Sequence, residues 1–302
     1  MKRRDFIQKT AAGSALVLGG LSLSSFDEPE VKKLTILHTN DVHSHIDPFA
    51  IDDPKYPNMG GAARRATLIE QIRRENANVL LLDAGDIFQG TPYFNYYGGE
   101  LEFKLMSMMK YDLSTMGNHD FDNGIDGFHA MLPHAKFDFV SANYDFKNTV
   151  LNGIVKPYKI IVKDGIKIGI FGLGVELKGL VDKKLYKETV YLNPIEIAQD
   201  MTRILKHNEK CDLVICLSHL GFAYPDEKEK ASDLVLAWKT KDIDLIIGGH
   251  THTFLTKPQI EKNLEGKEVM VNQVGCYGIN LGRIDFTFEK GKKSGSGRTI
   301  IV

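Results

Sequence analysis

From residue 33 onward, short apolar runs alternate with longer stretches in which apolar residues recur every three or four positions. The runs at 34–38, 79–82, 113–116, 137–140, 168–172, 213–217, 245–247, 269–271 and 284–288 have the length and bulk of buried strands. Between them, 62–74 follows a Gly-Gly pair, 101–109 is apolar on one face, and a run from Pro194 to about residue 205 opens with proline in the first turn, all helical signatures. Strand-length runs alternating with helical patterns predict an α/β domain. With no internal repeat and no interdomain linker, 33–302 reads as one domain. The ending GKKSGSGRTIIV predicts a flexible basic turn and a short strand-like tail, its lysines solvated.

The start of the chain has a different texture. MKRRDFIQK is followed by the modestly apolar TAAGSALVLGGLSL and then by small residues, the layout of an export signal over 1–25. Its apolar core is short and broken by glycines, too weak for a membrane span, so no span is expected in the mature chain. Arg3, Arg4 and Phe6 resemble a twin-arginine signal, which would place the protein in the periplasm; an ordinary secretory signal with adjacent arginines is the alternative. The acidic FDEPEVKK then predicts a mobile linker over 26–32.

Of 302 residues, 43% are hydrophobic, ordinary for a globule, and the formal charge is -1. Without residues 1–25 there are 34 basic and 38 acidic residues, which disfavours a nucleic-acid polymer as partner. Cys211, Cys216 and Cys276 form neither a disulfide framework nor a metal-finger spacing, and read as small buried apolar residues.

The chemistry lies just after the strands. Asp41 and His43 follow the first run, Asp83 and Asp86 the second, and Asn118, His119 and Asp120 the third; His219 follows 213–217, and His250 and His252 follow 245–247. Five strands thus deliver Asp, Asn and His to one sheet edge, where α/β folds bind ligands. Imidazole, carboxylate and amide oxygen without cysteine suit Zn, Mn or Fe. So many donors require two divalent ions, and one carboxylate can bridge them. Glycines at 85, 117, 248 and 249 provide tight turns beside the donors.

The segments DVH at 41–43, GDIFQGTP at 85–92, GNHDFD at 117–122, SHLG at 218–221 and GGHTHT at 248–253 resemble the ordered motifs of calcineurin-like metallophosphoesterases, nearest the 5'-nucleotidase branch. GGAARRATLI from Gly60, SANY from Ser141 and NQVGCYGINLG from Asn272 extend the likeness over about 33–288. The resemblance implies a four-layer sandwich, two mixed β-sheets flanked by helices. It also implies that Asp41, His43, Asp86 and His252 hold one metal and Asp86, Asn118, His219 and His250 the other. His119 would touch the phosphate and assist the leaving oxygen, Asp122 would orient His119, and a metal-held hydroxide would attack phosphorus in line.

The implied substrate is a nucleotide or other phosphoester, with a 5'-nucleotidase-type phosphomonoesterase expected first. A 2',3'-cyclic nucleotide or nucleotide-sugar phosphodiesterase and a noncatalytic binding subunit are the alternatives. The family's nucleotidases carry a carboxyl-terminal nucleotide-binding domain, which this chain is expected to lack. A separate specificity subunit, or a looser stand-alone pocket, would then follow. No substrate-binding residue is assigned. Arg64 and Arg65 are expected to pack or be solvated, His45 to lie behind the ligands or at the surface, and the aromatics of TPYFNYYGGE to cover the core.

Overall fold

The computed structural model describes residues 31–302. The expected export signal and most of the expected linker therefore lie outside the described residues. Lys32, expected in the linker, instead opens β1 (Lys32–Thr39), where it stands opposite Phe288.

Two six-stranded sheets carry the fold. In the first, β1, β2 (Val79–Asp83), β3 (Leu113–Ser114) and β4 (Asp138–Phe139) run parallel, while β13 (Asn280–Glu289) and β14 (Lys292–Ile301) add antiparallel strands beyond β1. In the second, β7 (Ile166–Gly174), β9 (Leu213–His219), β10 (Leu245–Gly248) and β12 (Glu268–Asn272) are parallel. Antiparallel β6 (Tyr158–Lys163) and β11 (Gln259–Lys262) close its edges. A small ribbon pairs β5 (Tyr144–Asp145) with β8 (Val190–Tyr191).

Strand alternation explains the layering. Leu34, Ile36, Leu80 and Leu82 of the first sheet meet Leu213, Ile215, Leu217, Leu245 and Ile247 of the second in one core between the sheets. The intervening residues face outward: Leu37 and Leu81 pack under α1 (Ala62–Glu75), α3 (Glu100–Met108) and α4 (Gly124–Met131), with Ile69, Phe103 and Phe128 filling the space. Val214, Cys216 and Ile246 pack under α6 (Pro194–Arg203) and α7 (Asp233–Lys239), against Ala198 and Leu236. The short helices α2 (Pro92–Tyr97) and α5 (Lys183–Tyr186) complete the order. Helix, sheet, sheet and helix form four layers, as expected. Strands covered on both faces must be apolar at consecutive positions, which is why they were readable as runs.

Local signals set the helix ends. Pro194 fills the first turn of α6 while the Asn193 side chain accepts hydrogen bonds from the amides of Ile195 and Glu196, a cap worth about 1 kcal/mol. The helix then passes into a π-turn over Ile204–Asn208. The carboxyl-terminal lysines belong to β14, paired along its length with β13, a longer strand than the expected tail. Cys211, Cys216 and Cys276 are all buried. No described helix is long and apolar enough to cross a membrane.

Candidate metal centre

The parallel strands point their carboxyl ends at one edge, and the loops there converge. Asp41 and His43 leave β1, Asp86 leaves β2, Asn118 follows β3, His219 ends β9, and His250 and His252 leave β10. His219 shares strand parity with Leu213, Ile215 and Leu217, so the alternation that builds the core between the sheets carries its ring to the core's rim. His38 continues Leu34 and Ile36 in the same way but one turn too early. It is fully buried against Asn272, and burial pulls its pKa down to about 3.

Two groups form. Asp41, His43 and His252 offer ligand atoms within 4.8 Å of one another, and so do Asp86, His219 and His250. Asp86 joins them: its Oδ2 lies 3.0 Å from His219 Nε2 and 3.9 Å from His43 Nε2. Asn118 Oδ1 stands 2.8 Å from His250 Nδ1, so all seven residues singled out in the sequence meet in one place.

The backbone is bent to allow this. Asp41, His43, Asp86, His250 and His252 all have positive φ, between 49° and 74°. Side-chain-bearing residues avoid that region, and five together indicate strain tolerated for the sake of the site. Close approach forces glycine beside them. A Cβ on Gly117 would overlap the Asp86 carboxylate, and one on Gly249 would come within 2.7 Å of His219 Nδ1. Gly117→Ala should therefore displace Asp86 and lower metal affinity by about tenfold or more. Metal content at unchanged far-UV circular dichroism checks this.

A second layer of contacts aims the donors. His219 Nδ1 donates to the Ala84 carbonyl at 2.7 Å and His43 Nδ1 to that of Phe88 at 3.2 Å, which turns each Nε2 toward the Asp86 carboxylate. Asn40, which carries no motif signal of its own, donates to Asp41 Oδ2 at 2.6 Å and accepts from the Val274 amide, tying β1 to the loop after β12. Asp120 accepts amides from Gly117, Asp86, Ile87 and Phe88, clamping two ligand loops together; burial pushes its pKa up to about 7. Asp83 caps Gly85 and binds Thr39 and Ser114. Both of these carboxylates hold turns. Arg64 binds Asn58, and Arg65 is buried near Gly278. Among the TPYFNYYGGE aromatics, Phe94 packs on Phe88, but Tyr96 and Tyr97 are exposed rather than covering the core.

The charges at the centre are unusual. Burial works against both ionised forms, yet His219 and His43 hold the Asp86 carboxyl well below its usual range. Burial likewise opposes a proton on His219, but Asp86 and Asp41 outweigh it and raise the pKa to about 10; His252 rises to about 10 beside Asp41. Burial and the nearby His219 pull His250 down to about 4. His119 differs from these histidines. Its Nδ1 is 2.8 Å from Asp122 Oδ2, that bond raises its pKa, and its side chain is 40% exposed.

Residues 34–254 match the calcineurin-like phosphoesterase family. The chain belongs to that family. Over 301 residues this phosphoesterase is 37% identical to the snake venom 5'-nucleotidase of Naja atra, covering 89% of the chain and 53% of the relative. It is 36% identical to the trifunctional nucleotide phosphoesterase protein YfkN of Bacillus subtilis, covering 85% of the chain and 18% of that protein. Among solved structures, the 5'-nucleotidase precursor of Thermus thermophilus superposes with a TM-score of 0.81 at 33% identity, over 90% of this chain and 55% of that one. The chain thus spans about half the length of the Naja and Thermus proteins.

Calcineurin-like phosphoesterases imply divalent metal ions, and the donors here fit them. His43 Nε2 and His252 Nε2 face each other at 3.0 Å. His219 Nε2 is fully buried without a hydrogen bond although Asp86 is 3.0 Å away. Imidazole nitrogens gathered this closely around two carboxylates are a donor set that suits divalent cations.

Proposed function

We propose that this phosphoesterase hydrolyses phosphomonoesters, nucleoside 5'-monophosphates first, at a centre of two divalent cations. One cation would be held by Asp41, His43, Asp86 and His252, the other by Asp86, Asn118, His219 and His250. The observation that carries the reading is Asp86 standing between the two donor groups while His119, its Nδ1 held by Asp122, opens on the same cleft.

Bound cations there would acidify a water and draw charge from the phosphoryl oxygens. The chain's own residues do the rest. Asp120 and Asn40 keep the ligand loops fixed, so the donors need no rearrangement during the reaction. Asp122 accepts from His119 Nδ1 and stabilises the imidazolium, which leaves Nε2 to give a proton to the departing ester oxygen. The names of the Naja and Bacillus relatives support a nucleotide substrate. The Bacillus name, a nucleotide phosphoesterase, does not single out monoesters, so 2',3'-cyclic and nucleotide-sugar diesters remain the second reading. The export reading of residues 1–25 would place the reaction outside the cytoplasm.

Metal-reconstituted protein offered nucleoside monophosphates, cyclic nucleotides and nucleotide sugars decides the class, run with and without a candidate nucleotide-binding partner. Faster turnover of diesters would reverse the order proposed here, and inactivity on all would end it. Loading metal should also release protons, because Asp86 and Asp41 favour protonated His219 and Asp41 favours protonated His252, and ligation must remove those protons. The sign follows from their raised pKa values: affinity should fall as pH is lowered. Calorimetry in buffers of different ionisation enthalpy measures the release.

A further inference from the structure

One wall of the cleft is aromatic, and the hydrolytic reading makes no use of it. The cleft, about 420 Å³, is lined by His43, His119 and His252 and, beside them, by His45, Phe49 and Tyr277. The Tyr277 ring lies 6.0 Å from that of His43 and 5.9 Å from that of His252, so the wall begins at the metal donors. It continues through His45, 4.3 Å from Tyr277, to Phe49, stacked at 5.1 Å on His45, and then to Tyr56 at 5.3 Å from Phe49.

These rings are not filling a core. Phe49, Tyr56 and Tyr277 are only partly buried, and Phe254, stacked 6.2 Å from Tyr56, is 46% exposed. Tyr277 is also held against its backbone preference at φ 62°, a region that costs a bulky residue free energy. Its amide donates to the Asp41 carbonyl at 2.7 Å, which couples the ring's position to the ligand loop. Packing alone does not account for a strained tyrosine whose ring stays open to the cleft.

We propose that this wall is a stacking subsite for the planar ring of a nucleobase carried on the ester's leaving group. A phosphate at the imidazoles puts the rest of the ester in this cleft, beside flat π-faces. Every base has a π-face, so such a wall favours a ring without reading its hydrogen-bonding edge. Selectivity for nucleotides over aliphatic esters, with tolerance among bases, follows. The inference rests on the phosphoester-hydrolase reading for its phosphate anchor.

The test uses Tyr277→Asn, since asparagine tolerates the left-handed backbone, with Tyr277→Phe and Phe49→Ala beside it. One readout is the ratio of kcat/KM for adenosine 5'-monophosphate to that for glycerol phosphate. The other is the affinity of metal-free protein for adenosine, by titration calorimetry. Tyr277→Asn and Phe49→Ala should each lower the ratio and weaken adenosine binding by about tenfold, within the range for loss of one base-stacking ring, while Tyr277→Phe keeps both. An unchanged ratio and affinity in both ring-removing variants would overturn the subsite and leave hydrolysis standing. Adenosine binding that needs Tyr277, in a protein that cleaves neither ester, would keep the subsite and remove the hydrolase.

Discussion

Asp86→Asn should cut bound metal from two ions per chain to one or fewer and lower phosphomonoester turnover by at least about a hundredfold. The position is the one where both donor groups meet, with His219 Nε2 at 3.0 Å and His43 Nε2 at 3.9 Å from the same carboxylate oxygen. Asparagine keeps the shape but removes the negative charge and one acceptor oxygen. The His119 amide, which donates to Asp86 Oδ1 at 2.8 Å, would keep an acceptor only if the new amide oxygen turned toward it. The fold should survive, because the two sheets and their shared core do not depend on this side chain. Metal analysis of the purified variant, alongside its circular dichroism, separates a lost centre from a lost fold. Full metal content with near-normal turnover would show that the two groups do not share this residue.

The second large effect belongs to His119. His119→Ala should leave metal content intact and lower kcat by about a hundredfold to ten-thousandfold on a nucleoside monophosphate, whose departing alkoxide needs a proton. On p-nitrophenyl phosphate, whose leaving group departs without help, the loss should be far smaller. Asp122→Asn tests the same assignment through pH. The Asp122 bond is the main cause of the raised His119 pKa, and the acid form is the one required. Removing the bond lowers that pKa, so the alkaline limb of the kcat profile should move to lower pH. Equal losses on both leaving groups would mean that His119 positions the substrate and does not donate.

What the sequence made legible follows from burial. The central parallel strands announced themselves because both faces are covered, as Val79 to Asp83 are throughout. The edge strands β11 and β14 had no such run: β11 alternates half-buried with exposed residues, and β14 carries lysines and glycines. The seven metal candidates were readable because their chemistry is rare and each follows a strand. Their left-handed backbones were not, since positive φ is signalled in sequence by glycine, and here it falls on Asp and His. The roles of Asn40 and Asp120 lie in amide contacts across loops, which residue type alone does not reveal. The aromatic wall was invisible for another reason: Phe49, Tyr56 and Tyr277 meet only after the loop following β12 folds back against the one following β1.

The account depends on two cations sharing one carboxylate. Crystals of the chain soaked in manganese and measured at its absorption edge address this directly. Two anomalous peaks about 3.5–4 Å apart, one on each side of Asp86, are the predicted result. A single peak, or a pair of which neither touches Asp86, would contradict it.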